Sequence, residues 1–122
     1  MTISDKAIVL FGHGSRDPLW REPIEAVAAR VTQLQPGVPV RCAYLELEQP
    51  DLATAAAQLV AEGATRITIV PMFLGTGRHA REDLPVLVEA LRQAHPGVSF
   101  SLKPAVGEDS RVIDVLAGVA LE

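Results

Sequence analysis

Four short apolar runs, each followed by a stretch with helical periodicity, constrain this chain more than any other feature. Ala7–Phe11 and Ile67–Val70 are unbroken apolar or β-branched runs, as strands buried on both faces are. Val40–Leu45 and Val98–Leu102 are weaker runs of similar length. Trp20, Ile24, Val27, Val31 and Leu34 fall at i, i+4, i+7, i+11 and i+14, one stripe along a helix. Leu52, Ala55, Ala56, Leu59 and Val60 make a second stripe, and Leu84, Leu87, Val88, Leu91 and Ala94 a third. Val112, Ile113, Val115, Leu116 and Val119 make the fourth.

Punctuation agrees with this division. Asp17 precedes Pro18 as an N-cap precedes a first-turn proline, and Pro36-Gly37 stops the first helix. Asp51 caps the second helix and Gly63 closes it, while Pro96-Gly97 stops the third. "QPGVPV" at 35–40 and "HPGVSF" at 95–100 occupy the same helix-to-strand position, although glycine is common there in any case. Pro71 donates no hydrogen bond and belongs at the end of its strand.

The order βαβαβαβα makes the strands parallel, because each is joined to the next through a helix. The expected fold is α/β: one doubly wound, mainly parallel four-stranded sheet, flavodoxin-like, in the order 2-1-3-4, with helices on both faces. Residues 1–122 are long enough for one such domain. The formal charge of −4 argues against a nucleic-acid binder. Cys42 is the only cysteine and sits in an apolar run, which excludes a disulfide framework or zinc cluster and reads as a small core residue. "MTISDKAIVLF" is too short in apolar residues for a signal peptide or membrane span, so the expected compartment is the cytoplasm.

Open parallel sheets bind ligands beyond the carboxyl ends of their strands, where the strand order reverses. The unusual polar segments fall on that edge: "GHGSRDP" after strand 1, "ELEQPD" after strand 2 and "FLGTGRHAREDLP" after strand 3. His13 and His79 are in these loops, whereas His95, at a helix C-terminus, reads as structural. Strands 1 and 3 flank the reversal, so His13 and His79 would face one crevice with Glu46 beside it. Two imidazoles and a carboxylate suit a divalent first-row metal ion. The plainer reading has a histidine bonded to a backbone carbonyl, and Glu48 would point the same way as Glu46 in a continuing strand.

Arg16, Arg21, Arg78 and Arg81 gather on the same edge of an acidic chain, which fits an anionic ligand or simply solvated helix starts. Helix N-termini at Pro18 and near Asp83 would add donors there. "GTGRHA" matches a dinucleotide fingerprint in form, but it follows the third strand and no acidic residue stands some twenty residues on. "GHGS" lacks the Gly-x-Ser-x-Gly partner of a hydrolase, and there is no phosphate-binding P-loop.

Taken together, "GHGSR" at 12–16, "YLELEQP" at 44–50 and "MFLGTGRHAREDLP" at 72–85 resemble the short class II chelatases of the CbiX type. The resemblance extends over nearly the whole chain. It departs at Leu84, where isoleucine is usual, and in lacking the histidine-rich tract of some short members. It implies a chelatase-like fold and insertion of cobalt, iron or nickel into sirohydrochlorin, in tetrapyrrole and cobalamin biosynthesis. It assigns His13 and His79 to metal binding and catalysis, with Glu46 as acidic partner. Arg16, Arg78 and Arg81 would meet the substrate carboxylates, and Gly12, Gly14, Ser15, Gly75 and Gly77 would let a flat ring approach. The metal is then a substrate, with no permanently bound cofactor. One sheet edge covers one side of a macrocycle, so a homodimer is expected. A metal or tetrapyrrole carrier without catalysis and a metal-dependent hydrolase are the competing readings.

Overall fold

A computed structural model describes residues 5–122, so the first four residues of the amino-terminal segment read above lie outside the described residues. The strands are β1 (Lys6–Gly12), β2 (Val40–Tyr44), β3 (Arg66–Pro71) and β4 (Ser99–Leu102). They alternate with α1 (Glu22–Leu34), α2 (Leu52–Ala61), α3 (Arg78–Ala94) and α4 (Ser110–Leu121). The sheet runs β2-β1-β3-β4 with every pairing parallel, the order expected from the sequence, and Pro71 is the last residue of β3. No helix among the described residues is long and apolar enough to cross a membrane.

Alternation along the strands sorts the core into two layers. Ala7, Val9 and Phe11 of β1 join Ile67 and Ile69 of β3 and the apolar faces of α2 and α3. Leu59, Val88 and Leu91 are almost wholly enclosed there, each contributing about 1.5–3 kcal/mol by burial. On the other face, Ile8, Leu10, Val70 and Met72 look toward α1, which buries only Ile24. No residue of α4 is buried. The two faces are therefore unequally covered. Val27 and Leu34 of the first stripe and Val115, Leu116 and Val119 of the fourth remain exposed.

Two helix starts differ from the sequence expectation. Asp17 caps a 3₁₀ turn, Pro18–Arg21, by accepting from the Leu19 amide, and α1 begins only at Glu22. Trp20 thus lies on the turn, edge-on to the ring of Tyr44. The third helix begins at Arg78 rather than near Asp83, with Pro85 inside it. Proline deprives the Arg81 carbonyl of its usual donor, but Pro85 is exposed and water can serve that oxygen. Pro85 thus lies about two turns inside the helix.

The two Pro-Gly segments build the same turn. Gln35 N–H donates to Val31 O and Val38 N–H to Gln35 O, while His95 N–H donates to Leu91 O and Val98 N–H to His95 O. His95 is partly buried against Phe100. Cys42 is half-buried on the α1 face, where burial pushes its thiol pKa up and keeps it protonated.

Candidate active site

The loops at the carboxyl edge continue the sheet before they leave it. Leu45 N–H donates to Gly12 O (2.9 Å), Glu46 N–H to His13 O (3.1 Å) and Met72 N–H to Phe11 O (2.8 Å). This extension sets His13 beside Glu46. Their side chains meet, Nε2 to Oε1, at 3.1 Å, with each just over half exposed (55% and 56%).

The glycines around His13 serve close packing within the chain. Gly14 has φ +103°, and a Cβ there would lie 1.8 Å from the Glu46 carbonyl oxygen. A Cβ on Gly12 would lie 2.6 Å from Ile24 Cδ1. Both glycines are buried, and the room they leave is filled by Glu46 and Ile24. At Gly75 and Gly77 an added Cβ would meet nothing within 4 Å.

Glu46 and Glu48 do not point the same way. Leu47 has φ +66°, which breaks strand alternation between them. Glu48 turns inward, its side chain only 4% exposed. It accepts from the Ser15 backbone N–H at 3.0 Å and from Arg21 Nη1 at 3.3 Å. Arg21 also reaches Glu25, Nε to Oε1, at 2.8 Å, and the bond to Glu48 raises its pKa. Arg21 is thereby committed to holding the loop. Ser15 Oγ accepts from the Asp17 amide, so both polar groups of Ser15 serve the turn. Glu48 is the loop-holding residue whose inward turn sequence reasoning missed, because alternation alone gives no sign of a left-handed leucine.

His79 lies in the first turn of α3, not in a loop, and is exposed. Ala80 and Leu84 of the same helix are buried and fix how the turn sits. The N-cap, Gly77, gives no side-chain hydrogen bond, so the first amides of α3 are left for another acceptor. Arg78 Nε pairs with Glu82 at 3.1 Å, while Arg16 and Arg81 are exposed on the same edge. Below this loop, Gly107 packs against Leu74, where a Cβ would lie 1.8 Å from the Leu74 carbonyl oxygen. Tyr44, under Gly12, has its pKa pushed up to about 12 by burial and stays neutral.

The structure thus brings His13 and Glu46 together and sets His79 in the first turn of α3, beyond the carboxyl end of the adjoining strand β3. Among the described residues, no three His, Cys, Asp or Glu side chains converge to hold an ion. Two ligands about 2.1 Å from one ion stand about 3.0–3.4 Å apart, so the His13–Glu46 spacing fits either a hydrogen bond or a two-point grip. The histidine–carboxylate pair lies open on the carboxyl edge of a parallel α/β sheet, where open sheets of this class receive their ligands.

The comparisons with known proteins narrow that class. The chain belongs to the CbiX family, whose model matches residues 7–121. The sirohydrochlorin cobaltochelatase of Methanocaldococcus jannaschii is 33% identical over 135 residues, covering 91% of this chain and 94% of that protein. The sirohydrochlorin ferrochelatase of Bacillus subtilis is 32% identical over 113 residues, covering 88% of this chain but 41% of that protein. The crystal structure of a putative cobalamin biosynthesis CbiX protein from Marinobacter aquaeolei superposes with a TM-score of 0.81 at 33% identity, over 94% of this chain and 93% of that one.

Proposed function

We propose that this protein is a sirohydrochlorin chelatase, inserting a divalent metal ion into the tetrapyrrole at the edge bearing His13, Glu46 and His79. The observation that carries this reading is the 3.1 Å His13–Glu46 pair, in a chain whose relatives over nearly its whole length are sirohydrochlorin chelatases.

Insertion replaces two pyrrole protons by one M²⁺, so the site must present a metal and remove two protons. When Nε2–H of neutral His13 donates to Glu46, the imidazole lone pair is on Nδ1, free to take a proton or a metal ion. A proton accepted there can leave through Nε2 to the carboxylate and then to water, since both groups are exposed. His79 is the second donor toward the ring. Arg16, Arg78 and Arg81 meet the carboxylates of the macrocycle, and Gly75 and Gly77 leave the face of that loop open. The incomplete ligand set suits transfer, because a closed cage of three or four ligands retains its ion. That also disfavours a hydrolase, which needs a firmly held metal to activate water. A single edge faces one side of the ring, so the working form is a homodimer.

The test is anaerobic insertion into sirohydrochlorin, followed spectrally with cobalt, ferrous iron and nickel in parallel. His13→Ala and His79→Ala are each expected to lower the rate at least 100-fold. Insertion at the wild-type rate by either variant would overturn the assignment. Tight cobalt binding without faster insertion would instead make the protein a carrier.

A further inference from the structure

Leu47 and Leu74 stand at matching places on the carboxyl edge. Each lies three residues past the last residue of its strand, Tyr44 of β2 and Pro71 of β3. Gly12 pairs with Tyr44 and Phe11 with Pro71, so the three strands end within a residue of one another. β1, which leads to His13, runs between the other two. One leucine therefore follows the strand on each side of the histidine. Two inter-strand spacings set the ends of β2 and β3 about 10 Å apart, the scale of four pyrroles joined around a metal.

Both leucines are held out in water by loops that are otherwise fixed. Leu47 is 54% exposed and Leu74 69%. Leu47 sits between two anchored glutamates: the Glu46 N–H donates to His13 O, and Glu48 accepts from the Ser15 amide and Arg21. Its φ of +66° is a conformation unfavourable to leucine, and burial of the side chain does not offset it. Phe73 turns inward, edge-on to Phe11. Leu74 turns out, its backbone pressed by Gly107, whose N–H donates to Phe73 O. Strain of this kind collects at ligand clamps, and a contact already fixed in place loses little freedom on binding.

We infer that Leu47 and Leu74 are the apolar contacts for the substrate ring, packing on the hydrocarbon of the macrocycle while the arginines meet its carboxylates. The inference rests on the chelatase reading and deepens it. A tetrapyrrole polycarboxylate carries its charge at the rim, and its broad surface is conjugated carbon and nitrogen. Arginines alone would hold any polyanion. Two apolar contacts at fixed places favour an anion that carries the ring. The same contacts exist before and after the metal enters, so they act on binding and not on the chemical step.

Equilibrium binding of metal-free sirohydrochlorin to the full chain, followed by absorbance, tests this with Leu47→Asn, Leu47→Met and Leu74→Asn. Asparagine adopts a left-handed backbone more readily than leucine, so Leu47→Asn should unfold at the same or a higher urea concentration than wild type. It should nevertheless bind sirohydrochlorin about 5–10-fold more weakly, as should Leu74→Asn, the loss expected for about half a buried leucine. The kcat for cobalt insertion should change less than about twofold. Leu47→Met should bind as wild type does. The loss should be as large at high salt as at low, because salt screens charges and not apolar contacts. Wild-type affinity in both asparagine variants would overturn the inference, as would a loss that vanishes at high salt or only follows a loss of stability. Variants that change the oligomeric state and leave the affinity alone would assign the leucines to a contact between chains, and would overturn it too. Insertion assayed alongside keeps the two readings apart. A wild type that inserts metal, with variants of full affinity, removes the leucine contacts and leaves the chelatase standing. Leucine-dependent binding by a wild type that never inserts metal does the opposite.

Discussion

His13 and His79 stand on supports built in opposite ways. The chain around His13 is zipped to β2 through Gly12 and His13, packed without space at Gly14 and fastened by Glu48 to Ser15 and Arg21. His79 lies in the first turn of a helix whose cap supplies no side-chain bond, behind two glycines beside open space, where an added Cβ would meet nothing. The difference fits a reaction that must grip an ion and then let it go. Under the proposed function, the fixed histidine–carboxylate pair would define where the metal is offered, and the histidine on the uncapped turn would follow the ring as the metal changes owner.

The largest effects should come from the packed side. Gly14→Ala places a methyl against the Glu46 carbonyl in a left-handed conformation, and should cost about 2–4 kcal/mol and lower insertion at least 100-fold. Gly75→Ala has open space and should change stability by less than about 0.5 kcal/mol. Urea unfolding of the two variants compares them directly. Equal losses would remove the contrast between the loops.

Next comes the buried carboxylate. Glu48→Ala leaves the Ser15 amide and part of the Arg21 guanidinium without their acceptor, which should cost about 1–3 kcal/mol. It should also lower kcat about tenfold with a smaller change in KM, because the disturbance reaches the His13 loop and leaves Arg78 and Arg81 in place. Glu82→Ala breaks only the exposed Arg78 pair and should alter stability by less than about 0.5 kcal/mol. A Glu48→Ala protein as stable and as active as wild type would sink the idea that the loop is fastened there.

Acid separates the same two sides more gently. Asp51 caps α2, just after the Glu46 loop, and hydrogen bonds from Thr54 hold its pKa below the ordinary value. A carboxylate depressed in the folded state stabilises above its unfolded pKa, about 3.9, and that stability fades as pH falls through the folded value. Asp109, lowered to about 2 by Arg111, acts in the same sense at the start of α4. Asp51→Ala should cost about 1 kcal/mol at neutral pH, and its urea midpoint should fall less steeply than wild type's below pH 4. The cap of α3 has no carboxylate to titrate. A parallel pH profile for the variant would assign the acid sensitivity elsewhere.

Much of this was legible in the sequence, and what was not has a physical reason. The apolar runs and stripes encode strand order because burial on both faces leaves few other patterns, and the "GHGSR" and "GTGRHAREDLP" segments placed both histidines on one edge. The start of α3 was hidden because its apolar stripe was read only from Leu84 on, while the first two turns are mostly polar and exposed and bury only Ala80 and Leu84. The inward turn of Glu48 was hidden because Leu47 carries no mark of its left-handed backbone. The glycines beside His13 were read as clearance for a ligand, whereas the space goes to Glu46 and Ile24. The exposure of α4 was illegible for a different reason. Periodicity shows that a helix has an apolar face, not whose surface covers it.

The smallest predicted change is also the most direct probe of the lightly held side. Serine at Gly77 would accept from the free amides of the first turn of α3, and such caps exceed glycine by only a few tenths of a kcal/mol. Gly77→Ser should therefore raise the urea midpoint barely, if measurably. Its effect on catalysis should be larger than its effect on stability, since the bond that steadies the turn also limits how far His79 follows the ring. Slower insertion, with cobalt affinity unchanged, is the expected result. If Gly77→Ser is as fast as wild type while hydrogen exchange shows the first turn of α3 better protected, freedom at His79 is not used in the reaction. The contrast between the two supports would then be a matter of folding alone.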